Sequence, residues 1–357
     1  MSDLIGADAD NDEPILTPVR EVHRFDEGAL SRYLATNLDG FRGDLCVEQY
    51  VGGSSNPTFL LHSHDARWVM RKRPPGTLLP SAHQVEREYR VMHALRESDV
   101  PVPKMHLFCD DDSIVGRSFY IMEMIEGRIT RSEMPTFTPA ERRLIYDDYI
   151  RVLAALHQVD HVAVGLARHG RPGNYFARQI DRWTKQYRAA QTDDIPAMER
   201  LIEWMPVNIP EGEEVGVIHG DYRVGNVLIH PTEPRIAAVL DWELSTLGHP
   251  LGDLGYHAAY ANHGEFEPFA DELEERGLPD EDHWKRRYCE FTGRDDIAHW
   301  NFYVAYNLFR LAGIIQGVYK RGLDGIASSA FELDSQRASV AVRAERAWHL
   351  VERIEAG

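Results

Sequence analysis

The chain carries the stretch Val217-Ile218-His219-Gly220-Asp221-Tyr222-Arg223-Val224-Gly225-Asn226-Val227-Leu228-Ile229. After a turn follows Ile236-Ala237-Ala238-Val239-Leu240-Asp241-Trp242-Glu243. Two apolar, β-branched runs flank polar loops, the pattern of short buried strands that present loop residues at their ends. The first loop offers His219 and Asp221, with Asn226 five residues after the aspartate. The second offers Asp241 directly after the strand Ile236 to Leu240, and Glu243 two further on.

These residue types suit phosphoryl transfer from a nucleotide. That chemistry needs a carboxylate to accept the hydroxyl proton, and a carboxamide and a second carboxylate to hold magnesium on the phosphates. Asp221 is the candidate base. Asn226 and Asp241 are the candidate metal ligands, with Glu243 placed to reach a second ion or its water shell. The spacing Asp-x-x-x-x-Asn matches the kinase catalytic loop, with His219-Gly220-Asp221 in place of His-Arg-Asp. Asp241-Trp242-Glu243 stands where Asp-Phe-Gly would be.

Further stretches extend the match: Gly53-Ser54-Ser55-Asn56-Pro57-Thr58, Val69-Met70-Arg71-Lys72-Arg73-Pro74-Pro75-Gly76, Arg87-Glu88-Tyr89-Arg90 and Leu240 to Gly255. With them the chain resembles the aminoglycoside phosphotransferase and choline kinase superfamily of small-molecule kinases. Within it, the chain is most similar to the kinase-like domain fused to acyl-CoA dehydrogenases in some larger proteins. The resemblance implies an α+β, two-lobed protein-kinase-like fold. An N-lobe of antiparallel sheet plus helix, residues 21–125, would bind nucleotide. A mostly helical C-lobe, residues 126–357, would hold the catalytic loop and the acceptor.

The segment before the match, residues 1–20, is acidic and reads as a disordered leader. Phe25 to Leu38 has helical spacing. Leu45 to Tyr50 and Thr58 to His62 form a hairpin around a Gly/Ser tip, which in the superfamily covers the nucleotide phosphates. Small residues suit that task because backbone must approach an anion closely, and Ser54 and Asn56 are the candidate phosphate caps. A GxGxxG is absent, and the tip alone would read as an ordinary hairpin turn.

Trp68 to Arg71 is the next strand. The resemblance places there a cation that meets the α/β phosphates and pairs with a helix glutamate. Alignment of Val69-Met70-Arg71 gives Arg71 that role; Lys72, one residue on, points to the opposite face by strand alternation and is the alternative. Ala82 to Ser98 is a helix with Val85, Tyr89, Met92 and Leu95 at core spacing. Glu86 and Glu88 can both pair with the cation, and the match to Arg-Glu-Tyr selects Glu88. Lys104 to Cys109 and Ser118 to Met124 read as an antiparallel pair. The run Phe119 to Gly127 resembles the connection between kinase lobes, where adenine bonds to backbone. That places the carbonyl of Glu123 and the N–H of Ile125 at the base, with Gly127 at a bend.

Beyond the connection the chain reads as helical. Thr138-Pro139-Ala140-Glu141 is a helix start with a cap, a proline at the first position and a glutamate at the third. Asp253 in Leu247 to Gly255 stands where the superfamily has an aspartate that buttresses the catalytic loop. Phe302 to Tyr319 has apolar residues near 3.6 spacing, with Asn307, Arg310 and Gln316 among them. Polar groups on such a helix need partners, internal or from a ligand. Arg310 faces either an acceptor or an internal salt bridge.

Bulk properties narrow the class. At 357 residues the chain can hold two lobes with a sizeable core. A net charge of −18 argues against nucleic-acid or anionic-membrane partners, which would want clustered Lys and Arg. Cys46, Cys109 and Cys289 are far apart and form no CxxC pair, so neither a zinc site nor a disulfide framework is indicated, and a cytoplasmic setting is expected. No apolar run approaches the length that spans a bilayer.

The function expected from these features is an ATP- and Mg2+-dependent phosphotransferase acting on a small-molecule hydroxyl. The resemblance to dehydrogenase-fused domains implies a hydroxyacyl-CoA or hydroxy acid as acceptor, and an acyl-CoA dehydrogenase as candidate partner. An aminoglycoside or choline-type acceptor is the alternative within the class. A nucleotide-binding pseudokinase is the alternative outside it, and the joint presence of Asp221, Asn226 and Asp241 argues against that. Asp241 and Asp253 lie too close in sequence to hold a long activation segment.

Overall fold

The computed structural model describes residues 12–51, 56–75, 85–325 and 333–356. In chain order its first elements are β1 (Leu16–Pro18), α1 (Glu27–Asn37), β2 (Cys46–Tyr50), β3 (Thr58–Ser63), β4 (Ala66–Lys72) and α2 (Val85–Leu95). Then come β5 (Met105–Cys109), α3 (Asp112–Val115), β6 (Phe119–Glu123), α4 (Pro139–His157), α5 (Tyr175–Ala190) and α6 (Pro196–Trp204). The rest are β7 (Gly216–Ile218), β8 (Val227–Ile229), β9 (Ile236–Val239), β10 (Thr246–Gly248), α7 (Pro250–Tyr260), α8 (Leu273–Arg276), α9 (Glu281–Thr292), α10 (Trp300–Leu323) and α11 (Leu333–Glu355). The chain divides into two compact units.

The first unit comprises residues up to His169, together with His219–Thr246 and Glu274–Pro279. Its centre is a six-stranded sheet in the order β1-β2-β3-β4-β6-β5, antiparallel throughout. Strand alternation sorts its side chains into two faces. Phe59, Leu61, Trp68, Met70, Phe119 and Ile121 pack with Leu30 and Leu34 of α1 in one buried cluster. On the other face stand Leu60, Val69, Arg71, Tyr120 and Met122, with Arg71 and Tyr120 directly paired across β4 and β6.

The expectation of a disordered leader fails for residues 12–20. Leu16–Pro18 is the edge strand β1, paired to β2 as Leu16↔Tyr50, Thr17↔Gln49 and Pro18↔Glu48. Acidic composition pointed to a solvated tail, yet edge pairing needs only three residues of backbone, and Pro18 is tolerated there because an edge leaves one side unpaired. The Asp12 carbonyl also accepts a hydrogen bond from the Ile129 N–H at 2.9 Å. Residues 1–11 lie outside the described residues, as do the hairpin tip with Ser54 and the first residues expected in α2.

Residues 126–169 and 219–246 belong to the same unit as the sheet, although the sequence suggested a division after residue 125. The backbone accounts for it. Arg128 and Ile229 exchange two backbone hydrogen bonds at 2.8 and 2.9 Å, and the Val239 N–H donates to the Pro101 carbonyl at 2.8 Å. Gly127 is small for this reason rather than for a bend: a Cβ there would lie 2.9 Å from the Ile229 carbonyl oxygen. α4 starts with the capping box expected from Thr138 and Glu141.

The second unit holds Gly170–Ile218, Leu247–Leu273 and Asp280–Gly357 and is mostly helical. The polar residues of α10 find internal partners. Asn307 donates to the carbonyls of Gly252 and Tyr303, and Gln316 to the Ala190 carbonyl and the Thr192 hydroxyl. Arg310 is buried, its guanidinium 4.7 Å from the ring centroid of Tyr256 and 5.7 Å from that of Trp183. Asp253 is buried in α7. No helix among the described residues is long and apolar enough to cross a membrane.

Candidate active site

The loop between β7 and β8 is built around His219. Its Nε2–H faces the Leu240 carbonyl at 2.8 Å, and its Nδ1 accepts the Asp221 N–H at 3.2 Å. The two bonds together fix one neutral tautomer. They tie the loop carrying Asp221 to the strand that ends at Asp241. Gly220 adopts φ +84°, and a Cβ there would lie 2.7 Å from the Leu244 carbonyl oxygen. A left-handed glycine therefore lets the two loops touch.

Asn226 sits between them. Its Nδ2 donates to the Asp221 carbonyl at 2.9 Å and to the Asp221 carboxylate at 3.0 Å. Its carbonyl accepts the Leu240 N–H at 2.8 Å. Its Oδ1 is buried without a hydrogen-bond partner among the described residues. An orphaned carboxamide oxygen is costly unless something electropositive meets it.

Asp241 begins the second loop in the left-handed region, φ 62° and ψ 56°, a conformation aspartate tolerates better than most residues. The next residue, Trp242, is fully buried and donates its indole N–H to the Val239 carbonyl at 2.9 Å. That bond anchors the loop beneath the strand end. Asp241 and Asn226 thus present a carboxylate and an unpartnered carboxamide oxygen. The pair fits Mg2+, which keeps several waters and takes only one or two protein carboxylates. Among the described residues no cluster of three or more His, Cys, Asp or Glu forms an all-protein metal cage.

Arg71 crosses from β4 to this loop. Its Nη2 donates to an Asp241 carboxylate oxygen at 2.9 Å and lies 4.0 Å from Glu243. Its Nε is 3.1 Å from Glu88 of α2, a charge contact rather than an aligned hydrogen bond. Arg71 and Glu88 are each about 1 % exposed at the side chain. Glu88 also accepts from the Asn56 Nδ2 at 2.9 Å and the Tyr120 hydroxyl at 3.1 Å. Burial pushes the Glu88 carboxyl up, against the pull of Arg71, and the like charges of Asp241 and Glu243 add to the rise. Burial draws the Arg71 guanidinium down, but Glu88 and Asp241 outweigh it and hold Arg71 firmly protonated.

Lys72 lies on the other face, its ammonium 5.1 Å from the Phe25 ring centroid. Burial lowers its pKa, and Arg117 lowers it further. Of the two candidate cations, Arg71 is the one brought to Asp241 and Glu88. Asn56, expected as a phosphate cap, instead spends its amide on Glu88 and is fully buried. Its neighbour Ser54 lies outside the described residues.

A cleft of about 480 Å3 lies beneath the same sheet face. Leu60, Val69 and Met122 line it from the sheet, and Leu228 and Leu240 from the loops. Along one side run Glu123 to Arg128, so the two residues expected to meet a base, Glu123 and Ile125, both border it. Apolar walls suit a flat heteroaromatic ring.

Some site residues are not evident from sequence. Tyr120 holds Glu88, and only the register of β4 with β6 reveals it. Arg223, buried, places its Nε 3.5 Å from the Asp221 carboxylate; its position two residues after the candidate base was the available signal. Glu13, Pro14 and Leu16 border the cleft, and nothing in their composition pointed there.

The fold and this constellation define a kinase-like phosphotransferase. The chain belongs to the phosphotransferase enzyme family, whose profile matches residues 47–288. It is 43% identical to mouse acyl-CoA dehydrogenase family member 10 over 342 residues, which is 94% of this chain and 32% of that protein. The chain therefore spans about a third of that relative's length. Among solved structures, a Ralstonia eutropha protein provisionally described as an aminoglycoside phosphotransferase is 47% identical. It has a TM-score of 0.84 over 92% of this chain and 99% of its own. The aminoglycoside phosphotransferase APH(4)-Ia, solved with AMP-PNP and hygromycin B, shares the fold at 16% identity, with a TM-score of 0.57 over 91% of this chain and 98% of its own.

Proposed function

We propose that the protein transfers the γ-phosphoryl group of Mg·ATP to the hydroxyl of a small acyl compound, a hydroxyacyl-CoA or the corresponding hydroxy acid. One observation carries the reading. Asn226 bonds to the Asp221 carboxylate and its carbonyl accepts the N–H of Leu240, the residue before Asp241, while Arg71 joins Asp241 to Glu88, beside a cleft that Leu240 and Glu123 to Arg128 border. Relatives and structural neighbours support the class, and AMP-PNP in APH(4)-Ia supports the nucleotide. The choice of acyl acceptor rests on the likeness to the acyl-CoA dehydrogenase family.

In this reading Asp221 orients the acceptor hydroxyl and takes its proton. The acceptor oxygen bonds to the γ-phosphorus as the bond to the bridging oxygen breaks, and ADP departs with that electron pair. Asn226 holds the Asp221 carboxylate in place through its amide N–H. Its Oδ1 and Asp241 would hold Mg2+, which supplies neutralisation of phosphate charge. Arg71, paired with Glu88, which the Tyr120 hydroxyl holds in turn, turns its guanidinium toward the same charge. Glu243 stands beside Asp241 for the water shell of the ion. Glu123 and Ile125 would meet the base through backbone, and Ser54 would cover the phosphates. Catalysis is then positioning plus electrostatics.

The test is incubation with Mg·ATP and a panel of hydroxyacyl-CoAs, hydroxy acids, choline and aminoglycosides, read by mass spectrometry for a gain of one phosphoryl group. A phosphorylated acyl-CoA or hydroxy acid that vanishes with Asp221→Asn is the expected result. Phosphorylation of an aminoglycoside or choline alone would remove the acyl acceptor and keep the mechanism. Nucleotide binding with no modified acceptor across the panel would favour a pseudokinase.

A further inference from the structure

Helix α2 turns two consecutive residues on one short loop. Glu88 reaches the start of that loop through Arg71, which bonds to Asp241. Arg87 reaches its far end directly. The Arg87 Nη2 donates to the Ser245 carbonyl at 3.1 Å and to the His169 carbonyl at 2.8 Å.

The loop between these two anchors is small and strained. Asp241 is left-handed, Trp242–Leu244 is a single 3-10 turn, and the Ser245 N–H closes it on the Trp242 carbonyl at 3.1 Å. Ser245 is buried, and its hydroxyl lies 3.1 Å from the Nε2 of buried His169. A guanidinium bridging two carbonyls makes charge-assisted bonds in a fixed plane. A lysine, as a point charge on a flexible stem, cannot reproduce that geometry.

We propose that Arg87 is a positioning residue that clamps the Asp241 loop against α2, so that the Asp241 carboxylate stays in register with Arg71 and Glu88. This rests on the reading of Asp241 as the magnesium-binding carboxylate. Kinases with a long activation segment can set the equivalent register through that segment. Here the loop runs from Asp241 to Ser245 only, and consecutive residues of α2 hold both ends.

The test compares Arg87→Ala, Arg87→Lys and, as a control on the same helix, Arg90→Ala. Three quantities are read: thermal stability, amide hydrogen exchange in peptides covering Asp241 to Ser245, and the Mg2+ concentration that half-saturates binding of a fluorescent ATP analogue. Loss of the clamp should raise the Mg2+ midpoint by about tenfold in Arg87→Ala, as expected when a group that orients a metal ligand is removed. Exchange in the loop should quicken in both Arg87 variants. Arg87→Lys should keep most of the thermal stability without restoring the midpoint, and Arg90→Ala should leave midpoint and loop exchange unchanged. A fall in thermal stability with loop exchange and midpoint both unchanged would overturn the proposal and leave Arg87 a structural residue. Should the unsubstituted protein bind the analogue with no dependence on Mg2+, the metal reading of Asp241 fails. Loop exchange then decides the clamp alone: faster exchange supports it and unchanged exchange overturns it.

Discussion

Asp221 is held from three directions: its backbone N–H by His219, its carbonyl and carboxylate by Asn226, its carboxylate also by Arg223. Replacing the carboxylate with an amide keeps the shape and removes the proton acceptor. Asp221→Asn should lower the phosphoryl-transfer rate by about 10²–10⁴-fold, the usual contribution of a general base. Nucleotide affinity, measured by titration calorimetry, should change little. A loss confined to affinity would show Asp221 to be a binding residue. Gly220 next door is constrained by both its φ and the Leu244 carbonyl. Gly220→Ala should destabilise the fold by roughly 2 kcal/mol or more, seen as a lower urea midpoint; an unchanged midpoint would mean the loops separate freely. These residues were legible from sequence because base and ligands are chemically specific types at fixed spacing within one short stretch. Tyr120 and Arg87 were not legible. Each acts on a partner far away in sequence, through strand register in one case and helix orientation in the other.

At the level of elements, period-2 alternation in β4 is enough to put Arg71 and Lys72 on opposite faces, because one face of the strand had to be buried against α1. The alternation could not say what Arg71 would meet. Its partners come from α2 and from the loop after β9, and that convergence belongs to the tertiary fold. The segment leading into β1 is the reverse case, since composition suggested disorder and pairing made it a wall. Asp12 is buried, its carboxylate accepts a hydrogen bond from the Thr136 hydroxyl, and its carbonyl accepts one from Ile129. Glu13, Pro14 and Leu16 then border the same cleft as the strip from Glu123 to Arg128. Asp12→Ala should loosen that wall, raise the KM for nucleotide several-fold and leave kcat within about twofold, since a group that binds ground and transition states alike changes KM alone. Steady-state kinetics with varied nucleotide decides this. A fall in kcat at unchanged KM would place Asp12 in the chemistry instead of the wall.

Over the whole molecule, buried titratable groups set how stability follows pH. Burial lowers the His169 pKa to about 4, with Arg87 and Arg90 adding to the effect, and burial lowers that of His257 to about 3. One lies in each compact unit. Below pH 6.5 the unfolded chain protonates both imidazoles while the folded chain refuses the proton. Their contribution, complete above pH 6.5, is therefore lost as pH falls toward those folded values, at about 1.4 kcal/mol per unit for each group. The urea midpoint followed by far-UV circular dichroism should therefore hold above pH 6.5 and decline below it, with the slope easing under about pH 4, where the folded chain protonates His169 as well. His257→Phe should flatten part of the acid limb. A wild-type midpoint that stays level from pH 6.5 to 4 would show that the two imidazoles accept protons in the folded state, and that their burial is relieved by local opening at little cost.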